Sequence, residues 1–351
     1  MEPLGGAEFA PDATYLNTSS CGLLPRRAIT AVQRLAESNA TGRQGEGAGS
    51  LESLAAVRAS FARLAGVPAE RVALGGCVSV HVGLIAASLE PGAEVLLPEG
   101  EFSSVVTPFA VRGDLRLRYV PLEKLADEVR PDTALVAFSA VQSADGRLAD
   151  LTGVRAAAEA HGARTLLDAS QSAGWLPLDA GAYDYTVTGA FKYLLCPRGA
   201  SFLTVTEDAQ ESLRPIHAGW LTGEDLWGSN YGAVSPLTST ARRYDEAPSF
   251  LAYHGAEQSL ALVEELGIDP LHTRATTLAA RFRAGLTSLG LEPVPVSGPS
   301  AIVSVPGLEH RADDLRRAEV YISLRAGNVR ASFHLYNTTA DVDRALDVLA
   351  G

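Results

Sequence analysis

Cysteine is scarce in this sequence, and the few cysteines present are far apart. Cys21, Cys77 and Cys196 form neither an even-numbered disulfide framework nor a paired zinc motif. The chain is therefore expected to reside in a reducing cytoplasm. Its seven histidines include no H-x-x-x-H or similar ligand pair, so no protein-held metal ion is predicted.

Long apolar runs are missing as well. None reaches the roughly 18 residues that a membrane-spanning helix needs. The first residues lack the basic and apolar regions of a signal peptide. Positively charged residues are fewer than negatively charged ones: the chain has 29 Lys and Arg and 41 Asp and Glu, and its net charge is −12. Such an acidic surface disfavours nucleic acid and anionic membranes as partners.

Short apolar runs do occur, and they alternate with helical patterns. The chain has 351 residues, 46% of them hydrophobic, which is enough for a large core. Continuous apolar strands that alternate with helices are typical of an α/β fold with a mostly parallel sheet covered on both faces. Strands are predicted at Val72–Leu74, Glu94–Leu97, Leu115–Val120, Ala134–Ser139, Arg164–Asp168, Tyr185–Thr188 and Ser201–Val205, with helices at Val82–Leu89, Leu122–Val129 and Leu151–His161.

The pattern changes after about Pro248. We therefore predict a large domain over residues 21–248, a smaller α+β domain over 249–351 and an N-terminal arm over 1–20. In the smaller domain the patterns predict helices at Leu251–Leu266, Thr273–Leu289 and Thr339–Leu349, and strands near Glu292–Val296, Ala301–Val305, Tyr321–Leu324 and Val329–Leu335.

Lysine is nearly absent, since Lys124 and Lys192 are the only two among the 29 basic residues. Lys192 follows one predicted strand, and Asp168 ends the strand before it. In a parallel sheet both side chains emerge at the edge where ligands bind. A lysine can hold pyridoxal phosphate as a Schiff base, and a carboxylate can pair with its protonated pyridine nitrogen. Solvated acids and lysines are also common at strand ends, so the pair alone leaves both interpretations open.

Four longer blocks follow one another along the chain: YLNTSSCGLLP, LLDASQSAGWLPLD, DYTVTGAFKYLLCPRGASFLTV and VRASFHLYNTTADVDRALDVL. In this order they resemble the motifs of fold-type I pyridoxal-phosphate enzymes of the class V aminotransferase family. That family includes cysteine desulfurases, isopenicillin N epimerase, kynureninase and several C–S lyases. The resemblance covers nearly the whole chain, and it implies a large domain with a seven-stranded-type sheet and a smaller C-terminal domain.

The resemblance implies roles for residues around the cofactor ring. Lys192 matches the Schiff-base lysine, Asp168 the partner of the pyridine nitrogen and Gln171 a hydrogen-bond partner of the phenolic oxygen. Phe102 stands where desulfurases stack a histidine on the ring. Phenylalanine can stack, but it cannot donate or accept a proton, and an ordinary core aromatic is the alternative interpretation.

The resemblance also implies residues that contact the substrate. Arg330 matches the arginine that binds the α-carboxylate, for which a guanidinium fork is well suited. A structural arginine is the alternative. Asn17 and Arg325 are further candidates for substrate contacts.

A phosphate cradle is expected where the first long strand leads into a helix. Backbone N–H groups at a helix N-terminus bind phosphate, and Gly76, Cys77 and Val78 lie at this turn. Desulfurases have threonines at the first two positions, so main-chain contacts must carry more of the binding here. Thr188 is a candidate for the hydroxyl that commonly lies just before the lysine, and Ser249 for the one that the partner subunit donates.

The resemblance implies a homodimeric enzyme that acts on a small-molecule α-amino acid through a Schiff base and an α-carbanion. A lyase (C–S or other β/γ-elimination) or an aminotransferase of specialised metabolism is the preferred hypothesis. An epimerase, a kynureninase-like enzyme or an inactive scaffold remain alternatives. The stretch before Arg330 lacks the cysteine that carries persulfide in desulfurases, which argues against a persulfide-forming desulfurase. The turn at residues 75–83 contains no G-x-G-x-x-G, so a nicotinamide enzyme is disfavoured.

Overall fold

The computed structural model describes residues 3–42 and 50–351. Its strands are β1 (Thr14–Tyr15), β2 (Val72–Gly75), β3 (Glu94–Pro98), β4 (Arg116–Val120), β5 (Thr133–Ser139), β6 (Arg164–Asp168), β7 (Tyr185–Gly189), β8 (Ser201–Val205), β9 (Ile302–Pro306), β10 (Val320–Tyr321), β11 (Ser323–Arg325) and β12 (Asn328–Ser332). Its α-helices are α1 (Arg26–Ala40), α2 (Leu51–Ala65), α3 (Val78–Ser88), α4 (Ser103–Ala110), α5 (Leu151–His161), α6 (Glu207–Gln210), α7 (Phe250–Leu266), α8 (Ile268–Ser288), α9 (Ala312–Arg317) and α10 (Thr339–Ala350).

The largest sheet has seven strands in the order β2-β8-β7-β6-β5-β3-β4. β8 runs antiparallel to both of its neighbours, and the other strands are parallel to one another. Most of these strands are buried along their whole length, which explains why their sequences are continuous apolar runs without alternation. The edge strand β4 is the partly exposed exception.

Helices cover both faces of this sheet. On one face α2 and α7 pack against β2 and β8, and Phe61 stacks on Phe202 with ring centroids 4.0 Å apart. On the other face α3 contributes Val82 to a second core. Consecutive residues of one strand point to opposite faces, so Leu166 lies in the core beside α3 and Leu167 in the core on the opposite side.

The C-terminal part of the chain forms two smaller sheets. One is antiparallel, in the order β11-β12-β9, and it shares a core with α8 and α10. In the other, β1 pairs in parallel with β10. The N-terminal segment is thereby joined to the C-terminal part of the chain. The domain boundaries given above stay a prediction.

The α/β class with a mostly parallel seven-stranded sheet is confirmed. One strand predicted in the C-terminal part is wrong, because Glu292–Val296 forms no strand. Pro293 and Pro295 have no N–H to donate to a β-ladder, although the apolar residues around them fit a strand pattern.

One predicted helix is wrong as well. Leu122–Val129 contains only a 3-10 helix at Leu122–Lys124, followed by turns. Its apolar residues are buried as the helical spacing predicts, and Pro131 disfavours helical backbone for Arg130, the residue before it.

Two further observations concern membranes and metals. In the two described ranges, no helix combines the length and the apolarity needed to cross a bilayer. The same ranges contain no group of three or more His, Cys, Asp or Glu placed to hold a metal ion. The cytoplasmic location stays a prediction.

Candidate functional site

The parallel strands β6 and β7 bring Asp168 and Lys192 to the same edge of the sheet. Asp168 is the last residue of β6 and pairs in register with Val187 of β7. Lys192 follows β7 in a turn, and both side chains are buried. Their charges interact, but no direct ion pair of 4.0 Å or less joins them within the described ranges. The two groups are therefore close enough to interact electrostatically without forming a direct ion pair.

Burial controls the protonation of the Lys192 amine. Desolvation lowers its pKa to about 8, against the opposing effects of Asp168 and Glu101, while Arg330 and Arg198 lower it further. Roughly one tenth of the amine is then neutral at pH 7. Burial raises the pKa of Asp168, whereas Lys192 and the hydrogen bond from the N–H of Ser170 lower it. The amine can therefore act as a nucleophile or a base near neutral pH.

Two glycines allow other segments to approach the Lys192 turn closely. The N–H of Gly22 donates to the carbonyl of Phe191 at 2.8 Å, and a Cβ at Gly22 would lie 2.1 Å from the Lys192 carbonyl oxygen. A Cβ at Gly174 (φ +105°) would lie 2.4 Å from the carbonyl oxygen of Tyr193. Both glycines belong to the sequence blocks quoted above, and their backbones hold the lysine in place.

A hydrogen-bond network links Gln171 to Arg330. Nε2 of Gln171 donates to the Ser19 carbonyl and to Oγ of Ser143, at 3.0 Å each. Nη1 of Arg330 donates to the same Ser143 hydroxyl at 3.2 Å, and Nη2 donates to Oγ of Ser20 at 2.9 Å. Oε1 of Gln171 is buried without a partner, which leaves one acceptor in the network for a ligand.

Arg330 is a buried cation surrounded by neutral groups. It is 1% exposed, and burial lowers its pKa to about 10. Its Nε donates to Oγ of Ser323 at 3.1 Å, and no carboxylate forms an ion pair with it within the described ranges. An uncompensated buried charge is costly. The guanidinium is therefore suited to an anion that arrives from outside.

Phe102, Asn17 and Arg325 have different surroundings. The ring of Phe102 has its centroid 5.4 Å from Nζ of Lys192 and remains 43% exposed. Arg325 is exposed, and its Nη2 reaches Oγ of Ser20 at 3.4 Å. Asn17 and Arg325 line one cleft of about 470 Å³. Phe102 therefore lies beside Lys192, whereas Arg325 contacts Ser20, the serine that also binds Arg330.

The expected phosphate cradle precedes α3, and one of its donors is already used. The N–H of Gly76 donates to Oε2 of Glu246 at 2.7 Å. Cys77, exposed at the N-cap of α3, makes no capping hydrogen bond with its side chain. No described hydrogen bond uses the N–H groups of Cys77 and Val78. These two groups remain open to an anion.

The two predicted hydroxyls are in different surroundings. Thr188 is buried in β7, and its Oγ1 has no hydrogen-bond partner. Ser249 is exposed at the N-cap of α7. No described contact joins Ser249 to Lys192 or to the cradle, so a single chain does not bring it to the site.

Sequence reasoning missed the serines that hold Arg330 and the buried carboxylate of Glu101. Ser20, Ser143 and Ser323 come from three separate segments and carry no sequence signal of their own. Glu101 directly precedes Phe102, so its proximity to a candidate residue was the one available signal.

Comparisons with known proteins identify sequences and structures that are similar to this chain over most of its length. The sequence model of the family described as Aminotransferase class-V matches residues 14–345. Isopenicillin N epimerase of Amycolatopsis lactamdurans is 28% identical, over 97% of this chain and 95% of that protein. The uncharacterized aminotransferase YcbU of Bacillus subtilis (strain 168) is 25% identical, over 86% of this chain and 84% of its own length. The structure of the cystine C–S lyase C-DES with its reaction product cysteine persulfide superposes with a TM-score of 0.85 at 23% identity, over 97% of both chains.

The close approach at Gly22 yields a stability prediction. Gly22→Ala forces the Lys192 backbone or the N-terminal segment to move, so the free energy of unfolding should fall by about 1–3 kcal/mol. Gly83→Ala in α3 is the matched control, because nothing lies within 4 Å of its Cβ position. It should be neutral or stabilising by up to about 1 kcal/mol. Urea unfolding measures both, and equal behaviour of the two variants would contradict the packing described.

Proposed function

The chain belongs to the class V aminotransferase family, whose cofactor is pyridoxal 5'-phosphate, and on that premise we propose that it transforms an α-amino acid by way of an α-carbanion. The observation that carries the proposal is a buried amine, Lys192, within electrostatic reach of Arg330, a buried guanidinium that has no carboxylate partner among the described residues. One group suits an aldehyde, and the other suits the carboxylate of a substrate.

Buried polar atoms without partners support the fit of the cofactor. Oε1 of Gln171 and Oγ1 of Thr188 have no hydrogen-bond partner. The N–H groups of Cys77 and Val78 are open at the start of α3, which suits a phosphate. Lys192, Asp168, Gln171 and this turn are the residues that would hold the cofactor, with Phe102 against its ring.

When bound, pyridoxal phosphate supplies an aldehyde that condenses with amines and a ring that accepts an electron pair. The neutral amine of Lys192 would be the nucleophile toward that aldehyde, and the same nitrogen would accept the α-proton of the substrate. The carboxylate of Asp168 would stabilise a proton on the pyridine nitrogen. Arg330 would attract the substrate carboxylate by its positive charge and donate to it from Nη2, whose second N–H is used by no described hydrogen bond.

Among the possible outcomes we favour elimination or transamination over epimerisation. Two-base epimerisation needs a proton donor on the face opposite Lys192, and Phe102 has no proton to give. We also propose that the chain is not a persulfide-forming desulfurase. The segment before Arg330 contains no cysteine, and burial raises the pKa of the Cys196 thiol, which keeps it protonated.

We propose a homodimer with shared active sites. Two observations support it: Ser249 is exposed and lies away from the site of its own chain, and Phe102 is 43% exposed beside Lys192. A second copy would cover the open side of Phe102 and bring a hydroxyl to the phosphate. Substrate contacts of Asn17 and Arg325 are proposed on the strength of the cleft that they share.

A panel of amino acids tests the reaction type. The cofactor-loaded protein should absorb at about 420 nm. The Lys124→Ala variant should show the same band, and the Lys192→Ala variant should lack it. With an accepted substrate, a lyase releases ammonia and keto acid (with a thiol if C–S cleavage occurs), and an aminotransferase releases keto acid without ammonia. Racemised substrate as the sole product would contradict the proposal, and a protein that binds no cofactor would indicate an inactive scaffold.

Arg330 and Arg325 should differ in their effect on substrate affinity. Arg330→Gln removes a buried positive charge and the charge-assisted hydrogen bond proposed for it, so the amino-acid concentration that half-saturates the spectral change should rise about 10- to 100-fold. Arg325→Gln is the comparison variant and should raise that concentration by less than about threefold, because the substrate contact proposed for Arg325 is exposed to solvent. An equal effect of the two variants would remove Arg330 from its proposed role.

A further inference from the structure

Glu101 is a buried carboxylate that the proposed chemistry leaves without a role. It lies in the turn after β3 and is 9% exposed. Oε1 accepts hydrogen bonds from the N–H of Phe102 and from Oγ of Ser139, at 2.6 Å each. Oε2 accepts from the N–H of Ser139 at 2.8 Å and from Nε2 of Gln142 at 3.0 Å. One side chain thus ties the turn of Phe102 to the end of β5.

These partners favour the ionised form of Glu101. Three of the four are N–H groups, which can only donate, and together they reach both carboxylate oxygens. Burial raises the pKa of Glu101, and the hydrogen bonds from Ser139, Gln142 and Phe102 act against that effect. A proton on either oxygen would meet an N–H group, so the arrangement is suited to a carboxylate.

The charge of Glu101 reaches Lys192. The charged groups that act on this amine are Asp168 at the end of β6, Glu101 after β3, Arg330 on β12 and Arg198 before β8. The two acids oppose the two arginines. Glu101 also fixes the backbone of Phe102, whose ring centroid is 5.4 Å from Nζ of Lys192.

We propose that Glu101 is a positioning residue of this site, whose ionised carboxylate holds the Phe102 turn against the end of β5 and adds negative charge around the Lys192 amine. Glu101, in the turn after β3, then adds its negative charge to that of Asp168 in favouring the protonated form of the Lys192 amine. The inference deepens the proposed function and rests on it for the role of Lys192.

The rarity of lysine provides a direct test without cofactor. The cofactor-free protein is labelled with trace acetic anhydride at pH 7, and peptide mass spectrometry gives the acetylation rates of Lys192 and Lys124. Lys124, which is 64% exposed, is the internal reference. Glu101→Gln should leave more of the Lys192 amine neutral and raise the rate ratio of Lys192 to Lys124 about threefold.

Glu99→Gln is the matched control, because Glu99 lies in the same turn but is exposed. It should leave the ratio unchanged. An unchanged ratio in Glu101→Gln, or equal changes in both variants, would overturn the inference. If Glu101→Gln does not fold, Ser139→Ala removes one donor and weakens the ionised form. It should raise the ratio by less than threefold but above the Glu99→Gln value, and no rise would overturn the inference.

Cofactor binding to the unmodified protein is measured separately. If the unmodified protein binds pyridoxal phosphate but the labelling ratio is unchanged in Glu101→Gln, this inference is contradicted and the proposed function is not. Protein that binds no pyridoxal phosphate contradicts the proposed function, whatever the labelling shows.

Discussion

The site depends on one amine that is buried beside one carboxylate. Desolvation alone can lower the pKa of a lysine by several units, and the negative charges of Asp168 and Glu101 hold that of Lys192 at about 8. An amine in this range exchanges a proton readily near neutral pH, as a nucleophile and general base must. The parallel sheet makes the arrangement possible, because the neighbouring strands β6 and β7 end at the same edge and place both residues there.

A second constraint is the burial of Arg330, which forms no ion pair with a carboxylate in the part of the chain that the structure describes. Its guanidinium is held by Ser20, Ser143 and Ser323, which belong to the N-terminal segment, the turn after β5 and strand β11. These hydroxyls orient the cation without neutralising it, so its charge remains available to an incoming anion. The same serines tie the N-terminal segment, the large sheet and the C-terminal part of the chain to a single side chain.

The sequence predicted features that rest on local patterns, and it failed where contacts join distant segments. Strands buried on both faces are recognisable as apolar runs, and the residues at their ends mark one edge of the sheet, so Lys192 and Asp168 could be predicted to lie there. Ser143 meets Arg330 across 187 positions, and no pattern in either neighbourhood encodes that contact. The hydrogen bond from the Gly76 N–H to the Glu246 carboxylate could not be predicted from the sequence either, because Glu246 belongs to a loop far along the chain.

The central claim is that Nζ of Lys192 carries the cofactor, and borohydride reduction followed by peptide mapping tests it most directly. Reduction makes the linkage between an amine and pyridoxal phosphate permanent, and this chain offers only two lysines and its N-terminal amine as attachment points. The account predicts that the mass of the phosphopyridoxyl group appears on the peptide that contains Lys192. A modification confined to Lys124 or to the N-terminus would contradict it.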